Sequence, residues 1–152
     1  LSRQGLPVLD RTKYASHKNL EKGAYILRDS VTEPDLILLA SGSEVHICLK
    51  AAEIIEKEGV NVRVVSFPSW ELFEKQSKDY KDSVLLPSVK SRISVEAGIK
   101  MGWQKYVGDL GESVSIETFG ASAPDSILME KFGFTPENIA KKALETYTRN
   151  NS

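Results

Sequence analysis

Apolar residues in this chain fall into short unbroken runs divided by charged or glycine-bearing breaks, with one longer stretch at helical spacing. Residues 36–40 (LILLA) are apolar throughout. A strand apolar on both faces sits in the middle of a sheet covered on both sides, because alternation is expected only where one face is wet. Residues 24–27 (AYIL), after Gly23, suit a short edge strand. Val45, Cys48, Leu49, Ala52 and Ile55 recur at i, i+3, i+4, i+7 and i+10, which predicts a helix with one buried face. Gly59 stops it, and Val60 with residues 62–66 (VRVVS) make a second, β-branched strand. Strand, helix and strand in this order, with about 15 helical residues between, predict parallel strands joined by a right-handed crossover.

Residues 69–87 mix aromatic and charged positions around short helical turns. Residues 92–96 (RISVE) and 113–117 (SVSIE) read as two further strands, separated by a glycine-punctuated stretch holding Trp103 and Tyr106. Ser122, three residues before Asp125, is suited to cap a helix through Ile127, Leu128 and Phe132. Thr135 before Pro136 is a stronger helix start, a hydroxyl cap followed by proline where its missing N–H is harmless, and Ile139, Ala143 and Tyr147 then share a face. Residues 1–21 are polar and aperiodic and read as a linker, leaving residues 22–152 as one domain. The expectation is an α/β fold: a three-layer sandwich around a mostly parallel sheet of five strands.

Composition narrows the function classes. The 152 residues suffice for one ordinary α/β core. Lys plus Arg number 20 and Asp plus Glu 21, a formal charge of −1 with the signs evenly mixed, so neither nucleic acid nor an anionic membrane is an expected partner. No apolar run approaches the roughly 20 residues that cross a bilayer, and residues 1–14 resemble neither a signal nor a transit peptide; a cytoplasmic location is expected. Cys48 is the only cysteine and the histidines number two, a poor basis for a metal centre. Leu1 in place of Met leads us to expect a processed or excised fragment.

Candidate chemistry is sparse. Ser41, Gly42, Ser43 and Glu44 carry the chain from strand to helix, where free N–H groups and the positive dipole end can hold an anion. The plainer reading is a tight turn with Ser41 or Ser43 as N-cap and Glu44 against the dipole. Neither a GxGxxG nor a GxxxxGK[ST] pattern is present. Glu96 ends a strand where open α/β sheets place functional groups, but a lone carboxylate is no acid–base pair. His17 and His46 lack a nucleophile at recognisable spacing, and Cys48 falls on the apolar helix face as a small hydrophobe. Trp70, Phe73, Trp103, Tyr106 and Phe119 have only Lys100 and Lys105 beside them, too few cations for a nucleic-acid platform, and are expected to be core or a partner-facing patch. Arg3, between Ser2 and Gln4, would by composition be a solvated charge, although a guanidinium can bind phosphate through two parallel hydrogen bonds.

Several segments in order change that picture: LSRQGLP (1–7), KGAYIL (22–27), LLASGSEV (38–45), EGVNVRVVSFPS (58–69), SVEAG (94–98), GWQKYVG (102–108), TFGASAP (118–124) and FGFTPENI (132–139). Together they resemble the C-terminal domain of transketolase over nearly the whole chain, with residues 1–21 as the linker or the end of the preceding pyrimidine-binding domain. The resemblance implies one antiparallel edge strand in the sheet and a parent enzyme of the pentose phosphate pathway. That parent is a homodimer that moves a two-carbon ketol unit between sugar phosphates with thiamine diphosphate and Mg²⁺. It also implies that this fragment holds no catalytic residue, cofactor or metal and is inactive alone. The arginine of the LSRQ motif, here Arg3, contacts the substrate phosphate in that family. Gly5 departs from the asparagine often found there, which removes a polar contact and leaves the guanidinium. Alternatives are the third domain of a 2-oxoacid dehydrogenase β subunit or a deoxyxylulose-phosphate synthase, and a non-catalytic ligand- or partner-binding α/β module. LSRQ and FGASAP favour transketolase.

Overall fold

The computed structural model describes residues 8–10, 12–98, 101–115 and 133–152. Among them five strands form one sheet: β1 (Tyr25–Arg28), β2 (Leu36–Ala40), β3 (Val62–Ser66), β4 (Ser91–Glu96) and β5 (Glu112–Ser115), in the spatial order β1-β3-β2-β4-β5. β2 is central and parallel to both neighbours, with Leu38 opposite Val64 on one side and Ile93 on the other. β4 and β5 are also parallel, whereas β1 runs antiparallel on the edge of β3. The sheet is therefore the mixed, mostly parallel one expected, with its unbroken apolar run in the middle.

Alternation along each strand feeds two cores. Leu36, Leu38, Val62, Val64, Ile93 and Val95 face helices α1 (Glu44–Lys57) and α5 (Pro136–Asn150). Ile37, Leu39 and Val65 face the other way, toward Phe67, Phe73, Val84, Trp103 and Tyr106. That second layer is built from three short helices, α2 (Trp70–Glu74), α3 (Lys78–Val84) and α4 (Gln104–Val107). All five residues of β2 are buried, because both faces are covered. The start of α5 follows its sequence signal: the Thr135 hydroxyl accepts from the Asn138 N–H at 3.2 Å, with Pro136 in the first turn.

Within the leader the structure shows local order that the aperiodic sequence does not signal. Residues His17–Lys22 form a 3₁₀ turn capped by the Ser16 hydroxyl, the Ala15 N–H donates to the Leu27 carbonyl at 3.1 Å, and Leu9, Tyr14 and Ala15 pack against the α1-side core. A 3₁₀ turn of this length leaves too little apolar repeat to register as periodicity. Gly23 ends the turn at φ +80, where an added Cβ would lie 2.2 Å from the Phe73 nitrogen and 2.4 Å from the Ser69 carbonyl oxygen, so the leader lies directly on α2. The capping expected of Ser122, and the positions of Phe119, Lys100 and Arg3, fall outside the described residues.

Candidate functional site

The C-terminal edge of the parallel strands collects the polar groups singled out in the sequence. β2 ends at Ala40, Gly42 turns the chain at φ +55, and α1 begins at Glu44. β4 ends beside it at Glu96, with Ala40 opposite Val95. The Ser41 hydroxyl donates to Glu96 Oε2 at 2.8 Å, tying the two strand ends together, and the Ser43 hydroxyl donates to Glu44 Oε1 at 2.9 Å. Neither serine makes the N-cap bond expected of it. Ser43 already has helical dihedrals (φ −69, ψ −29) and makes no side-chain cap bond, because its hydroxyl is turned to the carboxylate of the next residue.

Glu44 takes the place that a cap or a bound anion would fill. Its side chain folds back over the Gly42 turn and accepts from its own backbone N–H, and the residue is only 4% exposed. Burial pushes its carboxyl above the usual carboxylate range and the nearby Glu96 adds to this, while the backbone and Ser43 hydrogen bonds oppose it. An anion entering at Ser41, Gly42 and Ser43 would have to displace one carboxylate and approach another. One turn on, Cys48 is completely buried, and burial drives its thiol pKa far upward, which leaves no thiolate for nucleophilic work. His46 is half-buried, its pKa lowered by burial and by Lys50. His17 opens the 3₁₀ turn in the leader. Among the described residues, no hydrogen bond joins the His46 ring to a hydroxyl or thiol nucleophile.

On the opposite face the aromatic residues form a packed cluster. Phe67 meets Phe73 and Trp103 edge-on at 4.9 and 5.5 Å, and Trp70 meets Trp103 edge-on at 5.4 Å. Trp70 stays 37% exposed and lies across Gly102. The Tyr106 hydroxyl donates to Glu74 at 3.0 Å, and Lys105 pairs with the same carboxylate at 2.8 Å. That lysine is committed to an internal partner, so the cluster is core with one exposed ring rather than a nucleic-acid platform.

Sequence reasoning missed two arginines on either side of Ile37. Arg63 on β3 donates from Nε and Nη2 to both oxygens of Asp29 and from Nη1 to the carbonyls of Ser83 and Val84. Arg92 on β4 donates to the carbonyls of Val89, Tyr106, Leu85 and Leu86. Both fasten the loop ends of the α2–α4 layer to the sheet. Their signal was present: an arginine inside a strand buried on both faces must find partners. Among the described residues, no three His, Cys, Asp or Glu side chains converge in a way that would hold a metal ion, and no helix is long and apolar enough to cross a membrane.

Fold and site thus define a three-layer α/β domain with a mixed five-stranded sheet and a polar edge organised by hydrogen bonds between strand ends. Residues 23–135 match the family described as the transketolase-like TK C-terminal domain. The chain is 48% identical over 147 residues to the transketolase of Aquifex aeolicus, covering 97% of this chain and 21% of that protein. It is 51% identical over 147 residues to the chloroplastic transketolase of Craterostigma plantagineum, covering 95% of this chain and 28% of the relative. Among solved structures, a Pichia stipitis transketolase complexed with xylulose 5-phosphate superposes with a TM-score of 0.88 at 36% identity, over 98% of this chain and 21% of that one. The chain belongs to the transketolase C-terminal domain family, and spans about a fifth of the length of the Aquifex relative.

Proposed function

We propose that this chain is the third, C-terminal domain of a transketolase, a cytoplasmic homodimer that transfers a two-carbon ketol unit between sugar phosphates using thiamine diphosphate and a divalent metal. The observation that carries the reading is the near-complete coverage of this chain by transketolases at about half identity. In it the domain serves as a buttress that supports the dimer and delivers Arg3 to the substrate. In this reading the thiamine diphosphate and its metal belong to polypeptide outside this chain, and among the described residues no three His, Cys, Asp or Glu side chains form a metal cluster. When bound outside this chain the cofactor supplies the carbanion chemistry of ketol transfer; this chain's part is to bind and orient.

Arg3 performs that part as a guanidinium fork for the phosphate of the sugar. Charge-assisted hydrogen bonds contribute roughly 1.5–3 kcal/mol, so Arg3→Ala in the intact enzyme is expected to weaken use of phosphorylated sugars by about 10 to 100-fold. Steady-state kinetics with phosphorylated and unphosphorylated substrates test it. An unchanged KM for the phosphorylated donor and acceptor would remove Arg3 from the site.

A further inference from the structure

We propose that the outer face of α5 is an interface at which two copies of this chain meet about a two-fold axis. α1 and α5 border a groove of about 710 Å³ whose apolar residues are Ile54, Ala140 and Leu144. Ile54 and Leu144 are half-buried and pack against the α1-side core, so this floor is held in place. Glu137, Lys141, Glu145 and Arg149 line the same groove, and all four are exposed. They stand four residues apart and so form one ridge along the helix, with the sign of the charge reversing at every step.

The reversal of sign selects the occupant. A ridge of one sign would call for a partner of the other, whereas a ridge reading minus, plus, minus, plus is complementary to itself run backwards. Turned about an axis at the height of Ala143, midway along the ridge, Glu137 comes opposite Arg149 of the second copy and Lys141 opposite Glu145 of the second copy. Leu144 then lies about 1.5 Å along the helix from the axis and meets its own counterpart. Helices packed through their four-residue ridges cross at about −50°, the crossing that lays two such ridges side by side. Within one chain the alternation does little, since Lys141 and Glu145 stand 3.9 Å apart and largely in water. Arg149 directs Nη2 to the Leu110 carbonyl at 3.3 Å, and a guanidinium has further donors for a second partner. The inference goes beyond the transketolase reading and does not rest on it.

Analytical ultracentrifugation of the 152-residue chain between about 10 μM and 1 mM tests the assignment, the range suited to an interface carried by one helix face. The parent chain is expected to pass from monomer toward dimer across that range, and to do so less at high salt. An acidic variant, Lys141→Glu with Arg149→Glu, and a basic variant, Glu137→Lys with Glu145→Lys, each carry a ridge of one sign. Either alone should self-associate at least about tenfold more weakly than the parent, because like charges then face each other, and their equal mixture should associate as tightly as the parent. Recovery on mixing is a readout that a merely destabilised helix would not give. Lys141→Gln with Glu145→Gln, which keeps good helix formers in place, is a further variant that holds the test open if a single-sign ridge unfolds α5; it should weaken association about threefold or more. A parent chain that stays monomeric to the top of the range would overturn the proposal. So would a mixture that fails to pair, a folded single-sign variant that associates like the parent, or a glutamine variant with unchanged association.

Discussion

Buried charge in this domain is held by hydrogen bonds, some from neighbouring residues and some from distant parts of the chain. Arg63 combines a two-pronged pair with Asp29 and two carbonyls, so its charge is matched and its fork is filled. Arg92 has carbonyl partners and no carboxylate partner among the described residues, and burial lowers its pKa from the ordinary arginine value. Glu44 is a buried residue whose protonation bears on folding. Its carboxyl is raised in the folded protein, chiefly by burial, so the native state holds that proton more tightly than the unfolded chain does. Its contribution is therefore fully present below the ordinary carboxylate pKa and is lost as pH rises through the raised value. Glu44→Gln cannot ionise and should gain stability relative to the parent chain as pH climbs through that window. Denaturant unfolding of both proteins from pH 4 to 7 checks this; a stability difference that does not change with pH would refute it.

At the scale of elements, the connections matter as much as the helices and strands. Two glycines with nearly the same φ help to separate conformational cost from crowding. Gly23 has φ +80 with Phe73 and Ser69 backbone atoms inside contact distance, and Gly59 has φ +81 with nothing within 4 Å of an added Cβ. Gly59→Ala should cost only the strain of a left-handed residue, about 1 kcal/mol, whereas Gly23→Ala must also push α2 away from the leader and should cost about 3 kcal/mol or more. Equal unfolding midpoints for the two variants would show that the leader does not bear on α2. The helices and strands were largely legible because their periodicity is local: residues 36–40, 62–66 and the start of α5 fall where the pattern puts them, and β1 and β4 shift by a single residue. The polar edge was not. Ser41 meets Glu96 across 55 residues of sequence, and Arg63 meets Asp29 across 34, separations at which no spacing rule operates.

Considered whole, the molecule is a sheet with a core on each face and hydrogen-bonded polar groups along its strand ends. In our reading that architecture serves as a support, and the reacting atoms lie on other polypeptide. The isolated 152-residue chain is accordingly expected to show no ketol transfer between sugar phosphates and no saturable uptake of thiamine diphosphate in calorimetry. Turnover or tight cofactor binding by this chain alone would overturn that division of labour.

The order of strands and helices, the central position of β2 and the hydroxyl–proline start of α5 were written in residues close together in the chain, since each depends on periodicity or on groups within one turn. Which carboxylate takes the Ser41 hydroxyl, which groups fill the interior arginines and where the leader lies were settled only when the sheet assembled. Each depends on desolvation and on hydrogen-bond partners that other strands and loops bring into reach, and local sequence does not encode those neighbours.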